Sequence, residues 1–202
     1  MGAIQHPEPA KRVLYHVLNN PLGRKELGNC RDLVCRVLFL RFNQDILLLG
    51  AGGAARGISF ALGEALCRSV TLWNRSPDRA YRLLAELTAA GVHAEWQGSP
   101  DPWGFDCIVN CTSVGMEGTG TETASACDFA RARPEALAVD IVYKPEATAF
   151  LNAARNAGLR TLGGLPMLIY QGALAFELWT GVRAPVDVMF EAARQRLREQ
   201  SR

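Results

Sequence analysis

The apolar run Ile46-Leu47-Leu48-Leu49 passes directly into Gly50-Ala51-Gly52-Gly53-Ala54-Ala55, and no other stretch of the chain restricts its fold so tightly. Four consecutive apolar residues suit a strand buried on both faces, as the strands of parallel sheets are. Glycines directly after such a strand let the backbone turn sharply and approach a partner that a Cβ would hold off. Arg56 to Leu66 is rich in small residues and reads as a helix. The turn therefore leads to a helix start, where unpaired N–H groups and the helix dipole favour an anion. Gly50-x-Gly52-Gly53-x-x is a variant of the dinucleotide fingerprint G-x-G-x-x-G, with Ala55 at the third glycine position. Gly50, Ala51, Gly52, Gly53 and Ala54 are accordingly the candidate cradle for a diphosphate. An ordinary strand-to-helix turn looks similar, so the segments downstream must decide between the two.

Those segments are regular from Gln44 onward. Strands are expected at 45–49, 69–73, 92–96, 105–110, 136–142 and 160–162. Helices are expected at 54–67, from Pro77 to Gly91, and at 148–157, 167–179 and 186–199. Ser76 is placed to cap the second helix, with Pro77 at its first position and Asp78 at the positive end of its dipole. Strands alternating with helices predict an α/β fold, a Rossmann-like doubly wound parallel sheet with two C-terminal helices. Residues 44–202 form the expected dinucleotide-binding domain. Residues 1–43 stand apart as an atypical appendage, because Arg31, Arg36 and Arg41 in its second apolar stretch match neither a helix face nor a strand alternation.

With 49% hydrophobic residues among 202, the chain can bury a full core. A formal charge of +2 gives no nucleic-acid footprint. No run is long enough to span a membrane and the N-terminus does not read as a signal sequence, so the expected compartment is the cytoplasm. The six cysteines form no C-x-x-C pair and no cluster with His6, His16 or His93, which argues against zinc. Cys67, Cys107 and Cys111 lie in apolar segments and are expected to be reduced, buried thiols.

In a dinucleotide fold the tip of the second strand meets the adenosine ribose. An acid there selects NAD, and an arginine accommodates the 2′-phosphate of NADP. Here the tip is Asn74-Arg75-Ser76, with Arg79 one turn on and no acid. A guanidinium fork with hydroxyl and amide neighbours suits a phosphate dianion. The competing reading is a solvated surface arginine. Its place after a complete turn–helix–strand unit favours phosphate, and hence NADP. Thr112 and Ser113, in the loop Asn110-Cys111-Thr112-Ser113-Val114-Gly115-Met116 at the end of another strand, suit a wall against ribose or nicotinamide.

These segments, in this order, resemble the shikimate dehydrogenases. The resemblance continues through Asp140-Ile141-Val142-Tyr143-Lys144-Pro145, Gly163-Gly164-Leu165-Pro166-Met167-Leu168-Ile169-Tyr170-Gln171-Gly172 and Phe176-Glu177-Leu178-Trp179-Thr180-Gly181. It covers residues 44–200 and implies the NADP-binding domain of an enzyme that interconverts 3-dehydroshikimate and shikimate. By the same resemblance Asn74 to Arg79 would hold the 2′-phosphate, while Ile141 and Gly164 would line the nicotinamide. Met167 would join the cofactor-binding set. Tyr143 and Gln171 would reach a small-molecule substrate. Gln171 also stands out on chemistry alone, as an amide in an apolar helical stripe that can both donate to and accept from a polyol.

Departures from the family pattern are equally specific. Its members carry an N-terminal substrate domain with paired serines, a catalytic lysine and an aspartate in an Asn-Thr-Asp-Gly stretch, and none of these is recognisable in residues 1–43. Pro166 stands where glycine is usual, and Thr148-Ala149 lacks the usual proline. The expectation is a truncated form with impaired or no catalysis, whose cleft a separate substrate domain or a homodimer would complete. No catalytic residue is assigned. Lys144, next to Tyr143, is the one lysine near the expected cleft, and a lysine after a strand end is ordinarily solvated. A non-catalytic NADP-binding sensor or interaction module, or half of a quinate/shikimate-type dehydrogenase, are the alternatives.

Overall fold

The computed structural model describes residues 43–64 and 67–200. The appendage at 1–43 lies outside this range, apart from Asn43. Six strands, β1 (Asp45–Leu49), β2 (Ser69–Trp73), β3 (Ala94–Trp96), β4 (Cys107–Asn110), β5 (Leu137–Asp140) and β6 (Arg160–Leu162), form one sheet in the order β3-β2-β1-β4-β5-β6. Every pairing is parallel. Five helices connect or follow them: α1 (Gly53–Glu64), α2 (Pro77–Ala89), α3 (Ala149–Asn156), α4 (Leu165–Thr180) and α5 (Val186–Gln200). The strand order reverses at β1, which makes the sheet doubly wound and puts a crevice at the carboxyl ends of β1 and β4.

The two faces of β1 explain its unbroken apolar sequence. Ile46 and Leu48 pack with Ala55, Ile58 and Leu62 of α1 and with Ala80, Leu83 and Leu87 of α2. Leu47 and Leu49 point the other way, into a second core with Phe150, Leu151 and Ala154 of α3. Alternate residues of one strand therefore supply two cores, and no face is left for a polar side chain.

The register brings four strand ends to one level. Leu49 pairs with Trp73 on one side and with Asn110 on the other, and Asn110 pairs with Asp140. The glycine turn, the β2 tip and the loops after β4 and β5 all rise from this rim.

Several expected boundaries shift. β1 and β2 fall where the sequence places them. The strands expected at 92–96, 105–110 and 136–142 are shorter, because Val92, Phe105 and Val142 bond outside the ladder. The Val142 N–H, for example, donates to the Asp140 carboxylate at 3.0 Å. α1 begins at Gly53, one residue early, and is described only to Glu64. α4 starts at Leu165 with Pro166 in its first turn, where a missing N–H costs nothing. The expected Ser76 cap is not formed: Ser76 occupies the N-cap position of α2, but its hydroxyl makes no capping bond. Asn74 instead donates through Nδ2 to the Ser76 carbonyl at 2.8 Å, closing the strand tip into a tight turn.

Candidate functional site

The rim begins at Gly50. Its φ of +116° is a conformation that side chains rarely adopt, and a Cβ there would stand 3.0 Å from the Cys111 carbonyl oxygen. Its N–H donates to the Trp73 carbonyl at 2.7 Å. The chain is thus folded back across both neighbouring strands, and only glycine fits. Gly52 and Gly53 differ, since a Cβ on either would meet nothing within 4 Å. Space stands open over them at the start of α1, and the first turn of that helix carries no acidic residue. Helix geometry leaves the first N–H groups without internal partners, so Gly52, Gly53 and Ala54 present donors to that open space. A diphosphate fits this donor set.

At the neighbouring strand end, Arg75 and Arg79 are both exposed, and among the described residues neither side chain has an ion-pair or hydrogen-bond partner. Several other surface arginines are matched, Arg56 with Glu86 at 2.6 Å, Arg68 with Asp45, and Arg133 with Asp106 at 2.7 Å. Arg82, Arg183 and Arg198 also stand without a partner among the described residues, but they lie away from the β2 tip in sequence or on later turns of the helices. Two unmatched guanidinium groups beside the β2 tip form a local positive site of the kind a phosphate monoester requires.

The loop after β4 is held from within. Asn110 is fully buried, and its Oδ1 accepts from the Thr112 N–H at 3.0 Å and the Thr112 hydroxyl at 2.6 Å. Thr112 Oγ1 in turn accepts from the Val114 N–H at 3.1 Å. The Thr112 hydroxyl is therefore engaged in shaping the loop, whereas the Ser113 side chain is exposed. Lys144 pairs with Glu117 at 3.2 Å, which ties it to this same loop.

On the far side of the rim Gly164 sits against the β5 end. A Cβ on Gly164 would lie 2.2 Å from the Ile141 carbonyl oxygen and 2.8 Å from that of Val142, so the backbones touch. Ile141, half-buried, packs with Met167 against the α1–α2 core. Tyr143 is exposed and lines a cleft of about 190 Å³ together with Gly164, Glu146, Arg155 and Phe190. Gln171 does not line that cleft. Its Oε1 is buried in α4 and has no hydrogen-bond partner among the described residues. Such a group costs roughly 1–3 kcal/mol unless something donates to it.

Sequence reasoning missed one feature, a buried polar cluster directly beneath the rim. Asp140 and Thr148 are both fully buried. The Asp140 carboxylate accepts from Asn110 Nδ2 at 3.0 Å, from the Val142 N–H at 3.0 Å and from Thr148 Oγ1 at 2.6 Å. Thr148 caps α3 by accepting from the Leu151 N–H. Burial pushes the Asp140 carboxyl up to about 6, while the bonds from Thr148, Val142 and Asn110 pull it back. An asparagine and an aspartate each closing a short apolar strand were the available signal, but pairing them requires knowing that β4 lies beside β5.

The buried thiols match expectation at Cys107 and Cys111, both pushed above the usual thiol range by burial. Cys67 is only half-buried. Among the described residues no group of three or more His, Cys, Asp or Glu side chains could hold a metal, and no helix is long and apolar enough to cross a membrane.

A parallel sheet of this order, with a glycine turn opening a helix at its switch point, defines the Rossmann-like class. Comparison with known proteins narrows the class. The family model described as "Shikimate 5'-dehydrogenase C-terminal domain" matches residues 164–194. The shikimate dehydrogenase (NADP(+)) of Desulforamulus reducens is 36% identical over 207 aligned positions, taking in 94% of this chain and 70% of that one. That of Moorella thermoacetica is 44% identical over 156, covering 74% of this chain and 52% of its own. The crystal structure of shikimate 5-dehydrogenase from Thermus thermophilus in complex with NADP(H) and shikimate superposes with a TM-score of 0.68 at 40% identity. It covers 80% of this chain and 59% of that one. The chain belongs to the shikimate dehydrogenase family, and it spans about half the length of most of the curated relatives it matches.

Proposed function

We propose that residues 44–202 bind NADP(H) and act as the cofactor half of an NADP-dependent shikimate dehydrogenase, interconverting 3-dehydroshikimate and shikimate. The observation that carries this reading is the pair Arg75 and Arg79, unmatched at the β2 tip beside an open glycine cradle. On this reading Gly50 to Ala54 hold the diphosphate, and Asn74, Arg75, Ser76 and Arg79 hold the 2′-phosphate. Thr112, Ser113, Ile141, Gly164 and Met167 bound the nicotinamide half. NADP supplies the hydride acceptor or donor. What the chain itself contributes is orientation: the Ile141–Gly164 contact would seat the nicotinamide beside the cleft that Tyr143 and Gly164 line. The Gln171 Oε1, which has no donor among the described residues, would suit a hydroxyl-bearing ring.

Hydride transfer to a carbonyl also requires a proton donor within hydrogen-bond reach. Lys144 is paired with Glu117 and is a poor candidate. The donor is therefore assigned to a substrate domain outside residues 44–202. The cytoplasm is the compartment that fits this role.

The test is NADPH formation by the purified chain with NADP+ and shikimate, alone and with the isolated substrate domain of a relative such as the Moorella thermoacetica enzyme. NADP+ binding with turnover only after that domain is added supports the reading. Failure to bind NADP+ overturns it. Binding without turnover in either mixture favours a non-catalytic NADP-binding module.

A further inference from the structure

Of the rim residues proposed to meet the nicotinamide, Thr112, Ser113 and Ile141 sit on two separate loops, 110–115 after β4 and 140–148 after β5, and Gly164 and Met167 at the start of α4. Past Asn110 and Asp140, the last paired residues, the Ile141 N–H still donates to the Asn110 carbonyl at 3.1 Å. Further out, the Glu117 N–H donates to the Lys144 carbonyl at 3.0 Å while their side chains pair at 3.2 Å. Beneath these ties one buried carboxylate joins both loops. One oxygen of Asp140, Oδ1, takes Asn110 Nδ2 from the first loop and the Val142 N–H from the second. The other, Oδ2, takes the Thr148 hydroxyl, at the point where the second loop enters α3.

The ties continue outward on both sides. Asn110 Oδ1 holds Thr112, and the Cys111 carbonyl and the Thr112 side-chain methyl abut Gly50. Ile141 and Val142 abut Gly164, whose N–H donates to the Val142 carbonyl at 3.3 Å. An unbroken series of contacts thus runs from the glycine turn to the start of α4, with Asp140 at its centre. A buried carboxylate is costly to keep. An apolar residue pair would close the two strand ends at lower cost in stability, but it would not fix the directions of three donors.

We propose that Asp140 is a positioning residue: through Asn110, Val142 and Thr148 it sets the two loops in the one relative placement that walls the nicotinamide half of the dinucleotide. The adenosine half is independent of it, because Asn74 to Arg79 lie across the sheet at the β2 tip. The inference rests on the NADP reading, and the ligands below separate failure of one from failure of the other.

Thr148→Val removes one donor while keeping shape, Thr148→Ser restores the hydroxyl, and Asp140→Asn replaces an acceptor by a donor. Each full-length variant is titrated calorimetrically with NADP+ and with adenosine 2′,5′-bisphosphate, which carries only the adenosine half. NADP+ binding should weaken roughly tenfold in Thr148→Val and more in Asp140→Asn, consistent with loss of a hydrogen bond to a charged group. Binding of the bisphosphate should stay within about twofold, and Thr148→Ser should recover NADP+ binding. Equal loss of both ligands would mean that the cluster only stabilises the fold, and unchanged NADP+ affinity would mean that it positions nothing. Either result overturns the proposal. A wild-type chain that binds neither ligand would refute the NADP reading itself, and the inference with it.

Discussion

Replacing Gly164 by alanine tests the rim most sharply for its size. The added methyl would lie 2.2 Å from the Ile141 carbonyl oxygen and 2.5 Å from its carbon. Ordinary contact begins at 3.4 Å, so the backbones must separate by 3.4 − 2.2, about 1.2 Å. Neither side yields easily. The Ile141 N–H is bonded to the Asn110 carbonyl at 3.1 Å, and Val142 is held at both its N–H and its carbonyl. Gly164 anchors the first turn of α4 through its bond to the Leu168 N–H. The φ of −78° at Gly164 suits alanine, so the whole penalty is steric. Overpacking of this kind costs ~1–3 kcal/mol. For a domain of this size ~2 kcal/mol lowers Tm by ~4–8 °C. Thermal unfolding followed by circular dichroism, with urea titration to show an unchanged slope, gives the number directly. A Gly164→Ala protein melting within about 1 °C of wild type would show that the contact between the β5 end and α4 is loose, and the site description built on it would fail.

Other outcomes follow from particular residues. Gly53→Ala should stabilise the unliganded chain by ~0.4–1 kcal/mol, since the methyl meets nothing and alanine favours helix. The same variant should weaken NADP+ binding, and gain in both would argue against a diphosphate at the turn. The Asp140 carboxyl titrates at about 6 in the folded chain, against an ordinary value of 3.8. The folded state therefore holds this proton more tightly than the unfolded state, and the Asp140 contribution to stability rises as pH falls from about 6 towards 4. Asp45, held low chiefly by its hydrogen bond from Arg68, acts in the opposite sense as pH falls. The Asp140 effect is therefore read as the difference between wild type and Asp140→Asn in urea titrations across that range, and a difference independent of pH would contradict it. Brief alkylation of the native chain, mapped by mass spectrometry, should leave Cys107, Cys111 and Cys127 unmodified, because burial holds all three thiols protonated. Labelling of Cys107 in the folded protein would mean that the β4 strand opens far more readily than its packing implies.

The sheet and its glycine turn were legible because β1 carries the unbroken apolar run Ile46–Leu49 and β2, Ser69–Trp73, is rich in the strand-favouring Val70, Thr71 and Trp73, each strand followed by strong turn residues. Their ends fall at Leu49 and Trp73 as read. Strand ends on the other side of the sheet were not, because sequence periodicity cannot show where a backbone N–H leaves the ladder. Val142 is as buried as a strand residue but donates to a side chain instead. Ser76 had the right type and position for a cap, and a competing amide, Asn74, shaped that turn without it. Arg75 and Gln171 could be singled out in the sequence since each is chemically odd in its setting, whereas Gly164 was indicated only by the resemblance to the family. Asp140 and Thr148 could not be joined, because their partnership exists only once β4, β5 and the start of α3 are placed together.

The most direct measurement is paired calorimetry with NADP+ and NAD+ on the wild-type chain and on Arg75→Ala. Wild type should prefer NADP+ by at least roughly tenfold, the equivalent of one charge-assisted hydrogen bond to the 2′-phosphate. Arg75→Ala should lose most of that preference while keeping its NAD+ affinity. Equal affinity of the wild type for the two nucleotides, or equal losses for both in the variant, would contradict the assignment of the β2 tip to the 2′-phosphate.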